Sequence, residues 1–335
     1  MRVHERVLLS LTVLCFSLSA ATVARAEDLV RVGGFTREAI SYVAESKGFF
    51  QAEGIRMEYT HVLGSVEMMR NFVSGKFDLI HTTSDNVIAW ADGRGMDPGK
   101  NDFIIFIGGR KGVSLDLVVA PGIDSFDGLK GKLLAVDAFN TGYAPVLVFM
   151  LKQHGLTLSK DYNMKPFGGG EARLKALLGG ETVGALLTLN DELSRKGFRI
   201  LAQSKDYLPN YAVAIGAARR DWAVKHEALL VRYIRALVRS TDWLLDPKNE
   251  DEAIAILRAA MNDSPNRAGE LYEESLDPQL GWLPHLKIDR KGIQTILDLR
   301  QLMGETEFPL PSPDKYIDER YYDKAIASMA SDAKK

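Results

Sequence analysis

The chain has 335 residues, 46% of them apolar and 26% charged, and a formal net charge of −2. That length predicts two folded units, each able to bury a sizeable core. The near-neutral charge, without long single-sign runs, excludes the basic footprint of a nucleic-acid-binding protein.

The N-terminus carries the first signal. Arg2 and Arg6 precede an apolar run, Val7–Val23, and Ala24-Arg25-Ala26 places small residues before Glu27. This pattern predicts a secretory signal peptide over 1–26, cleaved after Ala26, and a periplasmic location. A membrane anchor is the alternative, but the run is near the lower length limit for a span and is diluted by Ser and Thr. Cys15, the one cysteine, lies inside this run behind Leu14, which is too large for a lipoprotein cleavage site. The exported chain is therefore expected to have no thiol, which excludes Cys-ligated metals and Cys nucleophiles.

Leu29–Val32 is a β-prone run ending at Gly33-Gly34. Thr36 can cap a helix with Ala39, Ile40, Val43 and Ala44 at helical spacing, ended by Gly48. Ile55–Val62 reads as a second strand. Gly64-Ser65 opens a helix with Val66, Met69, Phe72 and Val73 on one face, and Gly75 stops it. Phe77–Ile80 is a buried-looking strand, followed by the capping turn Thr82-Thr83-Ser84-Asp85.

The same order then recurs. Leu133–Val136 is a strand with the turn Asp137–Gly142, and Pro145–His154 is a helix ended by Gly155. Tyr162–Pro166 is a strand, Gly168-Gly169-Gly170 a turn, and Glu171–Leu178 a helix. Val183–Leu187 is a strand ending at Thr188-Leu189-Asn190. The offset from Gly64 to Gly75 equals that from Gly169 to Gly180. Strands alternating with helices predict parallel βαβ units, here as two lobes of one α/β design. Leu115–Ala120 and Tyr211–Gly216 flank the second copy and are expected to be crossover strands. Beyond them, Trp222–Leu245, the Ser264-Pro265 cap, Gly292–Leu302 and Tyr316–Met329 read as helical and are expected to cover the first lobe. The division is 27–118 as the first part of lobe 1, 119–213 as lobe 2, and 214–335 as the helical return to lobe 1.

Open parallel sheets bind ligands at the carboxyl ends of their strands. The turns there are rich in Gly and in small hydroxyl or amide residues. Such residues let the N–H groups of helix starts approach a ligand. The candidate ligand-binding residues are Thr36, Arg37, Ser65, Thr83, Ser84, Asp85, Asn140, Thr141, Gly170, Thr188 and Asn190. Two facing lobes with such turns form a cleft that can close by a hinge.

The stretch AESKGFFQAEGIRMEYTHVLGSVEMMRNFVSGKFDLI resembles the N-terminal signature of the periplasmic solute-binding proteins of ABC importers for nitrate, sulfonates, taurine and thiamine-precursor pyrimidines. DSFDGLKGKLLAVD is similar to that family's entry to its second lobe, and GGGEARLKALLGG to its second internal helix. The resemblance covers most of residues 28–245. It implies a type II periplasmic-binding-protein fold with a closing cleft, and the chain is expected to be a cofactor-free monomer that delivers a small organic solute to an ABC permease. Two departures stand out. Val183-Gly184 replaces an Asp common in relatives, and the Cys-rich motif of the fungal pyrimidine-synthase branch is missing.

Individual residues admit two readings. Arg37 pairs either with an anionic ligand or with a nearby Glu at the surface. Thr83, Ser84, Asp85, Asn140 and Thr141 either contact ligand or cap helices. Glu171 either holds a ligand amine or is a solvated helix start. Phe35, Phe139 and Tyr143 either stack on a ring or pack in the core, and core packing is expected for at least two of them. Arg37 favours a carboxylate or sulfonate, whereas Asp85, Asp137 and Glu171 favour an amine or ring N–H. His61, His81, His154, His226 and His285 show no metal spacing, and neither a phosphate loop nor a G-x-S-x-G elbow occurs. A small lyase or decarboxylase is the enzymatic alternative, with Asp85 and His81 as its acid/base pair. A periplasmic ligand sensor is the third reading.

Overall fold

The computed structural model describes residues 27–97, 99–139, 142–261, 267–304 and 309–332. The predicted signal peptide, Asn140, Thr141 and the Ser264-Pro265 cap lie outside the described residues. Two five-stranded sheets organise the chain. The first contains β1 (Asp28–Gly34), β2 (Ile55–His61), β3 (Leu79–Thr82), β4 (Phe103–Ile107) and β10 (Ile215–Arg219), in the order β2-β1-β3-β10-β4. The second contains β5 (Asp116–Val119), β6 (Leu133–Val136), β7 (Asn163–Pro166), β8 (Gly184–Leu187) and β9 (Arg199–Gln203), in the order β7-β6-β8-β5-β9.

The sheets match strand for strand. β1 runs parallel to β2 and β3, as β6 does to β7 and β8. Each sheet has one reversed strand: β10 between β3 and β4, and β5 between β8 and β9. This is the repeated α/β design that the glycine spacing predicts. Helices cover the sheets because inner strands here are buried on both faces. β8, Gly-Ala-Leu-Leu, lies between β6 and β5 and is buried at every residue, as a strand flanked on both faces must be.

The first sheet is accompanied by α1 (Ala39–Ser46), α2 (Phe49–Ala52), α3 (Ser65–Val73) and α4 (Ser84–Ala91). The second is accompanied by α5 (Ala144–Gln153), α6 (Gly170–Leu178), α7 (Asp191–Arg195) and α8 (Ser204–Tyr207). The C-terminal part adds α9 (Arg220–Lys225), α10 (Glu227–Leu245), α11 (Glu250–Ala260), α12 (Arg267–Leu276), α13 (Arg290–Leu302) and α14 (Arg320–Asp332). α10 buries Leu230, Ile234, Leu237 and Leu244, the predicted apolar side, against α1, α2 and α14.

Three expectations need correction. Of the segments read as crossover strands, Leu115–Ala120 is mostly β5, inside the second sheet, whereas Tyr211–Gly216 lies mainly in the return crossing and only its Ile215 and Gly216 belong to β10. Short apolar runs gain more as buried strands than as exposed connections. The crossings are the preceding segments, 108–115 and 204–214. They hydrogen-bond each other between Arg110 and Val213 (N–O 2.8 and 3.2 Å). Second, the helix expected over Trp222–Leu245 is two helices, broken at His226 (φ −117°, ψ 30°). Third, not every C-terminal helix covers the first sheet alone. α13 packs on both α4 and α5, and its Ile293, Ile296 and Leu297 share one apolar core with Val87 and Trp90 of α4 and Val146 and Leu147 of α5.

A buried polar tie reinforces that junction. Arg300 on α13 donates to Asp85 on α4 (Nη1–Oδ1 2.9 Å), and the Gly142 N–H before α5 donates to the other Asp85 oxygen (2.6 Å). The Tyr211 hydroxyl, from the return crossing, donates to the Gly142 carbonyl (3.1 Å). Asp85 is 1% exposed and Arg300 0%. Removing one member of such a buried pair strands the other charge, a loss of about 3–5 kcal/mol. Asp85→Ala is expected to lower the unfolding free energy by about that amount in urea titrations. Joint replacement, Asp85→Leu with Arg300→Met, is expected to cost less than Asp85→Ala alone.

Candidate functional site

Carboxyl ends of strands from the two sheets approach one another: Asp85, after β3, meets Gly142, after β6, and the turn after β2 meets the turn after β7. On the first side, β1 ends in Gly33-Gly34 and the chain turns through Phe35–Arg37 into α1. Glu38 stands at the N-cap of α1 with extended backbone (φ −74°, ψ 150°), yet its side chain bonds neither that helix end nor any other group. Tyr59, near the end of β2, leans over Gly34, so close that a Cβ there would stand 2.9 Å from its hydroxyl oxygen. That hydroxyl is buried and has no hydrogen-bond partner.

On the second side, Asp137 follows β6 and accepts from the Tyr143 N–H (3.3 Å). Gly142 packs against this carboxylate with φ +70°; a Cβ would come within 1.9 Å of Asp137 Oδ2, so only glycine fits. Arg173 on α6 donates to the carbonyls of Gly168 (2.9 Å) and Leu186 (3.3 Å), while its buried Nε has no partner. Arg110, in the outgoing crossing, donates through Nε to the Leu280 carbonyl (3.1 Å) and through Nη2 to Glu274.

Several of these groups act electrostatically on Tyr143. Burial pushes its phenol up to about 12; Asp137 and Glu38 raise it further, and Arg173 and Arg110 oppose them. One hydroxyl thus senses charges from both lobes and from the crossing. Burial raises the Glu38 carboxyl to about 7, with Arg110 opposing and Glu274 assisting. Burial also raises Asp137 to about 6, against Arg173 and backbone N–H groups. Glu38, Asp137 and Tyr143 each keep some surface. The burial of the rest of each side chain disfavours its charged form.

The sequence-derived candidates divide. Arg37 follows its surface reading: it pairs with Glu45 and lies over the Tyr42 ring (4.7 Å), although its Nε is buried without a partner. Ser84 is fully buried and donates to the Ala212 carbonyl (2.9 Å), so its hydroxyl is committed to the crossing. Asp85 is committed to Arg300 and Gly142. Thr83 is the N-cap of α4, and its hydroxyl oxygen accepts from Asn86 (3.3 Å). Ser65 is buried at the start of α3. Asn190 caps α7 by accepting from the Leu193 N–H (2.9 Å). Thr36, Gly170, Thr188 and Glu171 are exposed. Phe139 is 49% exposed, whereas Phe35 and Tyr143 pack partly against the core.

Sequence reasoning missed Glu38, Tyr59, Arg110 and Arg173. Arg110 was hidden because β4 and the loop after it were not assigned. Tyr59 could have been found from its place near the carboxyl end of β2. The acid/base pair of the enzymatic alternative is not assembled. His81 bonds the Tyr233 hydroxyl (2.9 Å), and burial lowers its pKa to about 4. Among the described residues no cluster of three or more His, Cys, Asp or Glu could hold a metal ion. No helix among them is long and apolar enough to cross a membrane.

The rims touch. A Cβ on Gly169, in the turn before α6, would stand 2.0 Å from the Leu63 carbonyl oxygen, in the turn before α3. The two lobes therefore meet backbone to backbone at the mouth of the cleft.

No family model matches the sequence, and no curated protein does. Solved structures do. The nitrate-binding protein NrtA of Synechocystis PCC 6803 superposes with a TM-score of 0.70 at 13% identity, over 90% of this chain and 89% of that one. The alkanesulfonate-binding protein SsuA of Xanthomonas axonopodis, bound to MOPS, gives 0.67 at 15% identity, over 87% and 99%. The Candida albicans CA3427 product, described as having the generic periplasmic binding protein fold, gives 0.66 at 14% identity, over 87% and 96%. This chain has the two-lobed α/β fold of the periplasmic binding proteins.

Glu38 also sets a pH dependence. Its folded pKa lies above the unfolded value of 4.5, so its contribution is fully present below pH 4.5 and lost as pH rises through about 7. The groups around it are Arg110, Glu274, Tyr59 and Tyr143. Glu38→Gln is expected to gain stability relative to wild type between pH 4.5 and 7, measured by denaturant unfolding across that range. An unchanged difference would contradict the assignment.

Proposed function

We propose that this protein is an exported solute-binding protein that captures a small organic solute between its lobes and delivers it to an ABC permease. One observation carries this reading. Charged groups of both lobes and of the crossing act on one hydroxyl, that of Tyr143, and several polar groups at these strand ends have no partner in the protein. Tyr59 Oη and Arg173 Nε are buried without a hydrogen bond, and Glu38 bonds nothing. Buried groups of that kind cost free energy unless something satisfies them. A solute enclosed by the lobes would do so, from two sides at once.

Export through the signal at 1–26, cleavage after Ala26, the lobe limits 27–118, 119–213 and 214–335, and a monomeric state all belong to this proposal. So does the ligand class of sulfonates, carboxylates or pyrimidines. Thr36, Thr83, Gly170, Thr188, Asn190, Asn140 and Thr141 remain proposed rim contacts. The helix starts bearing them supply N–H groups to a solute's oxygen atoms. The nitrate- and sulfonate-binding neighbours support the reading by their fold. A lyase reading gains nothing from His81 and Asp85, which are committed to Tyr233 and to Arg300.

A thermal-shift screen of sulfonates, carboxylates and pyrimidines tests the proposal. At 100 times its Kd, a ligand adds about 2.7 kcal/mol of stability. At least one compound is expected to raise Tm and to be recovered chemically unchanged. Recovery of an altered compound would support the enzymatic alternative instead.

A further inference from the structure

We propose that the cleft selects a solute bearing a protonated amine or amidine, seated against the Glu38 carboxylate with the Tyr59 hydroxyl beside it. This rests on the solute-capture reading and departs from its ligand class, with a cationic group in place of a sulfonate or carboxylate.

Charge accounting around Tyr143 supports it. Arg110 is paired with Glu274 and bonded to a carbonyl. Arg173 gives its terminal nitrogens to two carbonyls and lies in the field of Asp137. Asp137 is held by the Tyr143 N–H. Arg37, the residue before Glu38, is paired with Glu45, and Arg300 with Asp85. Among these groups, Glu38 alone has neither an ion pair nor a hydrogen bond. When ionised, Glu38 is therefore the one carboxylate of this set with no bonded partner, under the field of Arg110, which is itself paired with Glu274.

Location sharpens the inference. Glu38 sits at the N-terminus of α1, where an incoming anion would otherwise find the favourable end of the helix. Its carboxylate would repel a sulfonate there and attract an ammonium. Arg110, Arg37 and Arg300 already carry a carboxylate partner, and Arg173 gives its terminal nitrogens to carbonyls, with its Nε left open. A cationic group on the solute would supply the missing partner. Charge-assisted hydrogen bonds are the strong class of such contacts. The burial that raises the free Glu38 carboxyl to about 7 would then be opposed by the bound cation. The buried Arg173 Nε leaves a position for a neutral acceptor on the same solute. This specificity differs from that stated for the nitrate- and alkanesulfonate-binding neighbours.

Titration calorimetry with two matched probe sets tests the proposal: benzamidine and phenethylamine against benzenesulfonate and benzoate. Benzamidine or phenethylamine is expected to bind, and the anions are not. Glu38→Gln is expected to weaken the cation by roughly tenfold or more, with the wild-type affinity falling as pH drops below 7. The variant's thermal midpoint at pH 7 is expected to equal or exceed wild type, which separates lost binding from lost folding. Tighter binding of benzenesulfonate, or cation affinity unchanged in Glu38→Gln, would overturn the proposal. If benzenesulfonate binds and Tyr143→Ala abolishes it, the charge class falls and solute capture stands. Failure of both sets, together with failure of the broad thermal-shift screen, would overturn both.

Discussion

The Asp85 carboxylate is the point on which the two lobes agree. It is buried, and it is satisfied only because three separate parts of the chain reach it: α4 carries it, α13 brings Arg300, and the turn before α5 brings the Gly142 N–H. Tyr211, from the return crossing, fastens the same glycine. A carboxylate left alone at that depth would be heavily penalised. The lobes therefore keep a defined relation at the back of the cleft. Tyr143 follows Gly142 directly, so the tie also fixes where the central hydroxyl of the recess stands.

That fixed back and the touching front define what the cleft can do. Gly169 meets Leu63 where the lobes touch, so the proposed capture of a solute requires those two turns to part. The crossings limit how they part. Gly108 N–H bonds the Leu286 carbonyl (2.8 Å), and Leu283 N–H bonds the Gly109 carbonyl (3.0 Å), so a C-terminal segment straps the outgoing crossing. An apolar core runs without interruption from α4 through α13 to α5. Shear across such a core would open voids, whereas rotation about the crossings leaves it packed. The geometry favours a hinge over sliding.

Much of this was legible in the residues. The glycine offsets, 64 to 75 and 169 to 180, mark α3 and α6, the corresponding helices of the two lobes. Hydrophobic spacing located α1, α5 and the buried side of α10, because each covers a sheet with one face. What escaped was non-local. β4 is a plain apolar run whose role depends on pairing with β10, more than a hundred residues later. Ser84 and Asp85 looked like ligand contacts because they start a helix at a strand end. Their partners, Ala212 and Arg300, lie 128 and 215 residues away, and no local pattern announces them. Glu38 was overlooked beside Arg37 for the converse reason. Its importance comes from a missing partner, which only the folded arrangement exposes.

The central claim is that two similar lobes close over a solute in this recess. Residues 27–335 contain no cysteine, so spin labels at Glu67→Cys on α3 and Glu171→Cys on α6, both exposed, report the mouth without side labelling. Electron–electron double resonance between them, with and without a compound that raises Tm, is the most direct measurement. Closure predicts a broader or longer distance distribution without the compound and one short distance with it. An identical distribution in both states, at saturating compound, would contradict the account.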